Sequence, residues 1–187
     1  MQLRNSAERW GAVSIGLHWL VVLLVIAIAV LGLYMTDLPL GLYKVKVYAL
    51  HKSLGLTVLA LGVLRLLWIV ASGRPKALPG GPAWQRALAR LTHWALYALL
   101  LLVPLSGWWY NTVADFGLRW FGLFQVPPLG TADAALKALA KERHEFLFYA
   151  LASLVAVHAF AALWHHYALR DRTLRRMLPW LRTNKDP

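Results

Sequence analysis

The chain has 187 residues, a formal net charge of +12, ten tryptophans, a hydrophobic content of 59% and a positive mean hydropathy. This length suits one domain, and this composition is typical of an integral membrane protein. The sequence contains no cysteine, which excludes disulfides, thiolate metal sites, iron–sulfur clusters and covalently attached haem. Any bound metal must therefore be held by histidine, carboxylate or methionine.

Four apolar stretches are long enough to cross a bilayer as helices. In chain order they cover about residues 10–35, 47–71, 88–110 and 144–169. The first is predicted to be a retained span, because its apolar part is too long for a signal peptide and no convincing A-x-A site follows. The sequence thus predicts an all-α, integral membrane four-helix bundle that forms one domain over residues 1–187. No internal repeat is evident.

The connections between the spans carry turn signals, which are TDLPLGLYKVK, SGRPKALPGGPAWQR and a longer third segment with VPPLG. In the third connection, Thr131 is predicted to cap a short amphipathic surface helix, TADAALKALAKE. Pro104 inside the third span predicts a kink in that helix.

Basic residues concentrate in the amino-terminal segment, the second connection and the carboxy-terminal tail, which includes Arg182 and Lys185. The first and third connections have fewer, and acidic residues partly balance them. The positive-inside rule therefore predicts that both termini are cytoplasmic. Because these basic residues flank apolar spans, we expect them to meet lipid headgroups, and nucleic acid is not an expected partner.

Every predicted span contains histidine, and ionisable side chains inside a membrane are costly and usually functional. The alternative is a histidine that only hydrogen-bonds between helices. His144 and His158 are fourteen residues apart, which places them on one helix face at depths that differ by about 21 Å. One metal cannot reach both residues. The pair therefore predicts two sites stacked across the bilayer, each with a partner from another helix.

Orientation supplies those partners. His144 and His51 both enter their spans from the outer side, so the outer pair is His51 with His144. At the inner side, His158 can meet either His18 or His93, and the spacing leaves both open. Two-histidine sites are poor for zinc but suit haem iron, whose porphyrin leaves two axial positions. Because four-helix bundles hold cofactors in their cores, we expect two haem b groups.

The same offset of fourteen residues recurs in the other spans, where it links His18 to Gly32, His93 to Gly107, and His51 to Arg65. A glycine lets a flat macrocycle approach the backbone, although close helix packing explains each glycine equally well. Arg65 would lie at the depth of the inner haem, where it is a candidate propionate partner unless it snorkels to the surface.

Other polar residues of the spans have two interpretations each. His93 either contacts quinone or a propionate, or only packs between helices. Lys44, Lys46 and Lys52 lie around the outer histidine, where they would draw a small anion or bind propionates or lipid phosphates. His165 and His166 stand in WHHY, which is typical of an interfacial anchor.

Four segments carry a family resemblance that covers almost the whole chain. They are GLHWL around His18, HKSLGLTVLALGVLRLLW (51–68), THWALYALLLLVPLSGW (92–108) and RHEFLFYALASLVAVHAFAAL (143–163). Together they resemble the bacterial cytochrome b561 family, four-span dihaem proteins of the inner membrane that are related to the cytochrome b subunits of nickel–iron hydrogenases. The resemblance implies axial ligands at His18, His51, His144 and His158. It assigns His18 and His158 to the inner haem and gives His93 a supporting role.

The resemblance also implies a function. We expect an oxidoreductase that passes electrons between an outer one-electron donor, superoxide in some members, and the ubiquinone pool. The expected partners are membrane lipid, quinone, and a small donor or a soluble redox protein. One alternative is a haem-containing membrane anchor and electron conduit for a soluble dehydrogenase or hydrogenase-type partner. Another is a transporter whose histidines bind a metal ion or relay protons.

Overall fold

The computed structural model describes residues 2–76, 82–179 and 181. Its four long helices are α1 (Ala12–Asp37), α2 (Leu42–Ser72), α3 (Ala83–Val113) and α4 (Lys137–Tyr167). Each is long and apolar enough to cross a membrane. The chain is therefore a multi-pass helical membrane protein, as its composition and apolar runs predicted.

The ends of the helices follow from local sequence. Leu38, which precedes a proline, is extended and ends α1, because a residue before proline disfavours the helical conformation. Gly73 follows α2 with a φ of 72°, which only glycine adopts readily. Pro82 directly precedes α3, and Pro104 lies inside that helix as expected. These signals set the turns that bring the four helices side by side.

The predicted surface helix in the third connection is wrong as a separate element, and Thr131 is not its cap. Asp133 accepts a hydrogen bond from the Ala135 amide at 2.9 Å, and a 3₁₀ turn (Ala134–Leu136) then leads directly into α4. Because α4 starts at Lys137, His144 lies about two turns inside the helix and not at its first residue.

The third connection also contains a small hairpin that the sequence did not predict, with β1 (Arg119–Trp120) antiparallel to β2 (Phe124–Gln125). The hydroxyl of Ser53 on α2 accepts a hydrogen bond from the Phe121 amide at 2.9 Å. The Trp120 indole donates to the Thr57 hydroxyl, also on α2, at 3.1 Å. These bonds satisfy polar groups that lipid could not, and they fix the hairpin against α2.

Both ends of the described chain meet Lys76, which follows α2, at one end of the bundle. The Arg176 guanidinium donates to the carbonyls of Lys76 and Glu8, at 2.9 Å each, and the Trp19 indole donates to the Met177 carbonyl at 2.8 Å. We call this the inner end and the opposite one the outer end, names that follow the predicted orientation. Arg182 and Lys185, part of the charge pattern behind that prediction, lie outside the described residues.

The apolar core lies about midway along the bundle. Val21 of α1, Val58 of α2 and Leu100 of α3 are buried against one another, with further aliphatic side chains around them. Val58 and Leu100 each lie seven residues after the histidine of their own helix, and Val21 lies three residues after His18. The core therefore separates two groups of polar side chains, one near each end.

Candidate functional site

The outer site is built on a pair of histidines from two helices. His51 of α2 and His144 of α4 face each other with ring centroids 6.3 Å apart and ring planes at 90°. Both side chains are partly buried. The structure thus brings together the two histidines that depth and orientation had paired.

Two glycines make room for these rings. A Cβ atom at Gly32 of α1 would lie 2.9 Å from His51 Cε1, and a Cβ at Gly107 of α3 would lie 3.0 Å from His144 Cε1. Real Cβ atoms essentially never come closer than 3.0 Å to such an atom, so the first contact is too short and the second lies at that limit. The sequence linked these glycines either to the approach of a flat macrocycle or to close helix packing, and in the structure each lies against an imidazole ring. The reason is that the fourteen-residue offset brings each glycine to the depth at which the next helix presents its histidine.

These contacts reveal a repeat that the sequence alone did not make evident. The distinctive residues of α1 recur at the same spacings in α3, and those of α2 recur at the same spacings in α4. The equivalent positions are His18 and His93, Trp19 and Trp94, Gly32 and Gly107, His51 and His144, and Arg65 and His158. Most of the apolar positions between them differ, and a few leucines are also shared.

The two outer histidines differ in what holds their second ring nitrogen. His144 Nδ1 lies 2.9 Å from Ser106 Oγ and 3.1 Å from the Val103 carbonyl oxygen. His51 Nδ1 is buried and has no hydrogen-bond partner in the described part of the chain, and the same holds for Nδ1 of His18. Ser106 and Val103 were not among the predicted site residues, because their contact depends on how α3 is rotated against α4.

The inner site gathers four side chains. His93 and His158 are in ring contact, with centroids 5.3 Å apart and planes at 72°. His18 is close enough to interact electrostatically with His93, His158 and Arg65. The Arg65 guanidinium lies 5.7 Å from the centre of the Tyr97 ring. The structure therefore brings all three inner histidines together, and His18 and His93 both remain available as partners of His158.

The predicted lysines have different surroundings. Lys44 Nζ donates to the Thr36 and Leu38 carbonyls at 3.2 and 2.7 Å, so it stabilises the end of α1. Lys52 Nζ lies 5.1 Å from the centre of the Phe116 ring, and Lys137, which the sequence did not single out, is also 5.1 Å from it. Lys46 is exposed. Two cations thus share one aromatic ring beside the outer site.

The histidines that follow the inner site lie near the end of α4. His165 contacts the Asp171 carboxylate, with 2.5 Å between Nδ1 and Oδ2. His166 Nδ1 is buried with no hydrogen-bond partner in residues 2–76, 82–179 and 181. This places both outside the two histidine clusters, and their role as an interfacial anchor stays a prediction.

The outer residues fit a haem iron. Metal–imidazole bonds are about 2 Å long, so one metal between two rings needs ring centres about 6 Å apart, close to the separation of His51 and His144. Within the described ranges, no group of three histidine or carboxylate side chains could hold a metal ion alone. A porphyrin supplies four nitrogens to iron, and two imidazoles at this separation would complete the ligand set.

Comparisons with known proteins point the same way. Residues 9–180 match the family model described as prokaryotic cytochrome b561. The chain is 38% identical over 181 residues to cytochrome b561 homolog 2 of Escherichia coli (strain K12), which covers 95% of each protein. It is 36% identical to cytochrome b561 homolog 1 of the same organism, over 92% of this chain and 98% of the relative. It is also 32% identical to a protein named "Probable superoxide oxidase CybB" of Yersinia pestis, over 92% of this chain and 97% of the relative.

Proposed function

Because the chain belongs to the prokaryotic cytochrome b561 family of haem b membrane electron-transfer proteins, we propose that it carries two haem b groups and transfers electrons from superoxide at its outer end to ubiquinone. The observation that carries this proposal is the facing pair His51 and His144, at a separation that suits one iron. The name of the Yersinia pestis relative motivates superoxide as the donor.

In this proposal His51 and His144 hold the outer haem, and Gly32 and Gly107 leave the space that their rings need. Bound haem would supply the one-electron redox chemistry. The protein positions the ligands and surrounds them with apolar helices, which excludes water and influences the redox potential.

His18 and His158 are proposed to hold the inner haem, as the family resemblance implies. Arg65 then serves a propionate, since a guanidinium is always charged and pairs well with carboxylates. His93 contacts the ring of His158 and lies beside the same cluster, where it would contact quinone or a propionate and deliver protons to quinone.

Lys52 and Lys137 give the outer site a positive potential that would draw a small anion towards it. Lys52 is also a candidate contact of a haem propionate, because it directly follows His51 in the chain. In the balanced reaction, two superoxide ions each lose one electron and leave as O₂. Ubiquinone gains both electrons and two protons, and becomes ubiquinol. We place the protein in the bacterial inner membrane with both termini cytoplasmic, which follows from the charge pattern.

Spectra and assays of the purified full chain test this proposal. We expect a Soret band, an α band that sharpens with dithionite, and two haems per chain in a pyridine haemochrome assay. Superoxide should then drive ubiquinone reduction at a rate that superoxide dismutase abolishes. A protein without haem would contradict the proposal and favour the transporter alternative. Haem without superoxide activity, together with a co-purifying soluble dehydrogenase, would favour the electron-conduit alternative.

A further inference from the structure

We propose that Ser106 is a positioning residue that, with the Val103 carbonyl, fixes His144 as the tautomer with its proton on Nδ1 and a free lone pair on Nε2. This inference rests on the proposed haem function and extends it to a residue outside the ligand set. It also predicts that the two outer ligands are electronically unequal.

The hydrogen-bond pattern favours one arrangement of protons. Ser106 Oγ lies 2.7 Å from the Val103 carbonyl oxygen and donates its proton to it, since that oxygen can only accept. His144 Nδ1 lies 2.9 Å from Ser106 Oγ and 3.1 Å from the same carbonyl. If Nδ1 had no proton, its lone pair would face the carbonyl lone pairs at that distance. A proton on Nδ1 instead satisfies both contacts.

This arrangement leaves Nε2 as the nitrogen available to a metal. Gly107 contributes, because the missing Cβ lets the His144 ring lie against the α3 backbone within reach of Val103. In metal-binding histidines the second nitrogen usually donates to a carbonyl or carboxylate, which orients the ring and raises its basicity as a ligand. Ser106 and Val103 occupy that role here.

The repeat shows why His51 differs. Its equivalents of Val103 and Ser106 are Ile28 and Leu31 of α1. His51 lies beside the Ile28 backbone but makes no hydrogen bond of normal geometry through Nδ1. Leu31 cannot supply a hydroxyl. His144 is therefore the outer ligand with the stronger hydrogen bond, and it favours oxidised iron more than His51 does.

The test is a redox titration of the haem-loaded full chain, followed at the α band, with the variants Ser106→Ala, Ser106→Val and Ser106→Thr. Valine and threonine are nearly isosteric and differ in the hydroxyl. We expect Ser106→Ala and Ser106→Val to raise the potential of one of the two redox steps. The shift should correspond to a change of about two- to tenfold in the ratio of oxidised to reduced iron at a fixed applied potential. Tenfold corresponds to about 59 mV for one electron. Thr should match the unmodified chain, and the second step should not move in any variant.

The outcomes separate this inference from the proposed function. If the redox potentials of both haems are the same in the Ser106→Val variant as in the Ser106→Thr variant, Ser106 is not a positioning residue. The proposed function would then still stand. The role of Ser106 would also be overturned if the redox step that shifts in its variants is still present in a His144→Ala variant. That step would then belong to the inner haem. A protein without haem would overturn both. If the Ala variant does not fold, the Val and Thr pair still gives the answer.

Discussion

The outer site follows the repeat at its histidines and glycines, whereas the inner site breaks it at Arg65 and His158. At the outer level, equivalent positions carry the same residue types, His51 with His144 and Gly32 with Gly107. At the inner level, His158 has Arg65 as its equivalent. A guanidinium has no lone pair to give a metal, so Arg65 cannot be an axial ligand. With His158 as one ligand, either His18 or His93 is left over for another role.

Removal of single histidines should give the largest effects and shows whether the two sites are independent. We expect His51→Ala and His144→Ala each to lose the same haem, because each leaves the iron with one axial ligand. His18→Ala and His158→Ala should lose the other haem. Haem content per chain and the α-band spectrum of the remaining haem provide the measurement.

His165→Ala is the matched control, since it removes a histidine of α4 that contacts Asp171 and belongs to neither cluster. It should keep both haems. Loss of a haem in His93→Ala, with both haems retained in His18→Ala, would show that the inner pairing is wrong and that His93 is the ligand.

The glycines should give the next largest effect and test the symmetry of the outer site. Gly32→Ala and Gly107→Ala each push a methyl group into a histidine ring, and such overpacking costs about 1–3 kcal/mol. We expect both variants to bind the outer haem more weakly and to retain the inner haem. The measurement is the haem fraction retained through a detergent dilution series.

Gly16→Ala serves as the control, because a Cβ there meets nothing within 4 Å. Alanine should stabilise α1 by about 0.5–1 kcal/mol, since glycine is costly inside a helix. If all three variants retain haem equally, the contact between glycine and imidazole is not a constraint on the outer site.

The sequence was most informative where one chemical type recurs at helical spacing. The four apolar runs predicted the helices, and the offset from His144 to His158, together with the predicted orientation, paired His51 with His144. The hydrogen bonds of Ser106 could not be predicted, because they depend on the rotation of α3 against α4. One local hint was available, since a serine inside a helix often bonds a carbonyl one turn earlier, as Ser106 does with Val103.

Other features were missed because competing local signals looked alike. Thr131 and Asp133 are both good caps, and only the geometry shows that Asp133 starts the helical segment. The hairpin around Phe121 is apolar enough to resemble a membrane boundary, and its strands have two residues each. Its position depends on Ser53, which is distant in sequence.

Arg65 should give the smallest effect and sharpens the difference between the two sites. Its guanidinium lies over Tyr97 and interacts with the inner histidines. A positive charge there favours reduced iron, so Arg65→Gln should lower the redox potential of the inner haem. The shift should correspond to a change of up to roughly tenfold in the ratio of reduced to oxidised iron, and the outer step should stay unchanged. Arg65→Lys keeps the charge and should shift the step less. If neither variant moves the inner step in a redox titration, Arg65 serves packing at the inner end and the asymmetry of the inner site lies in its histidines alone.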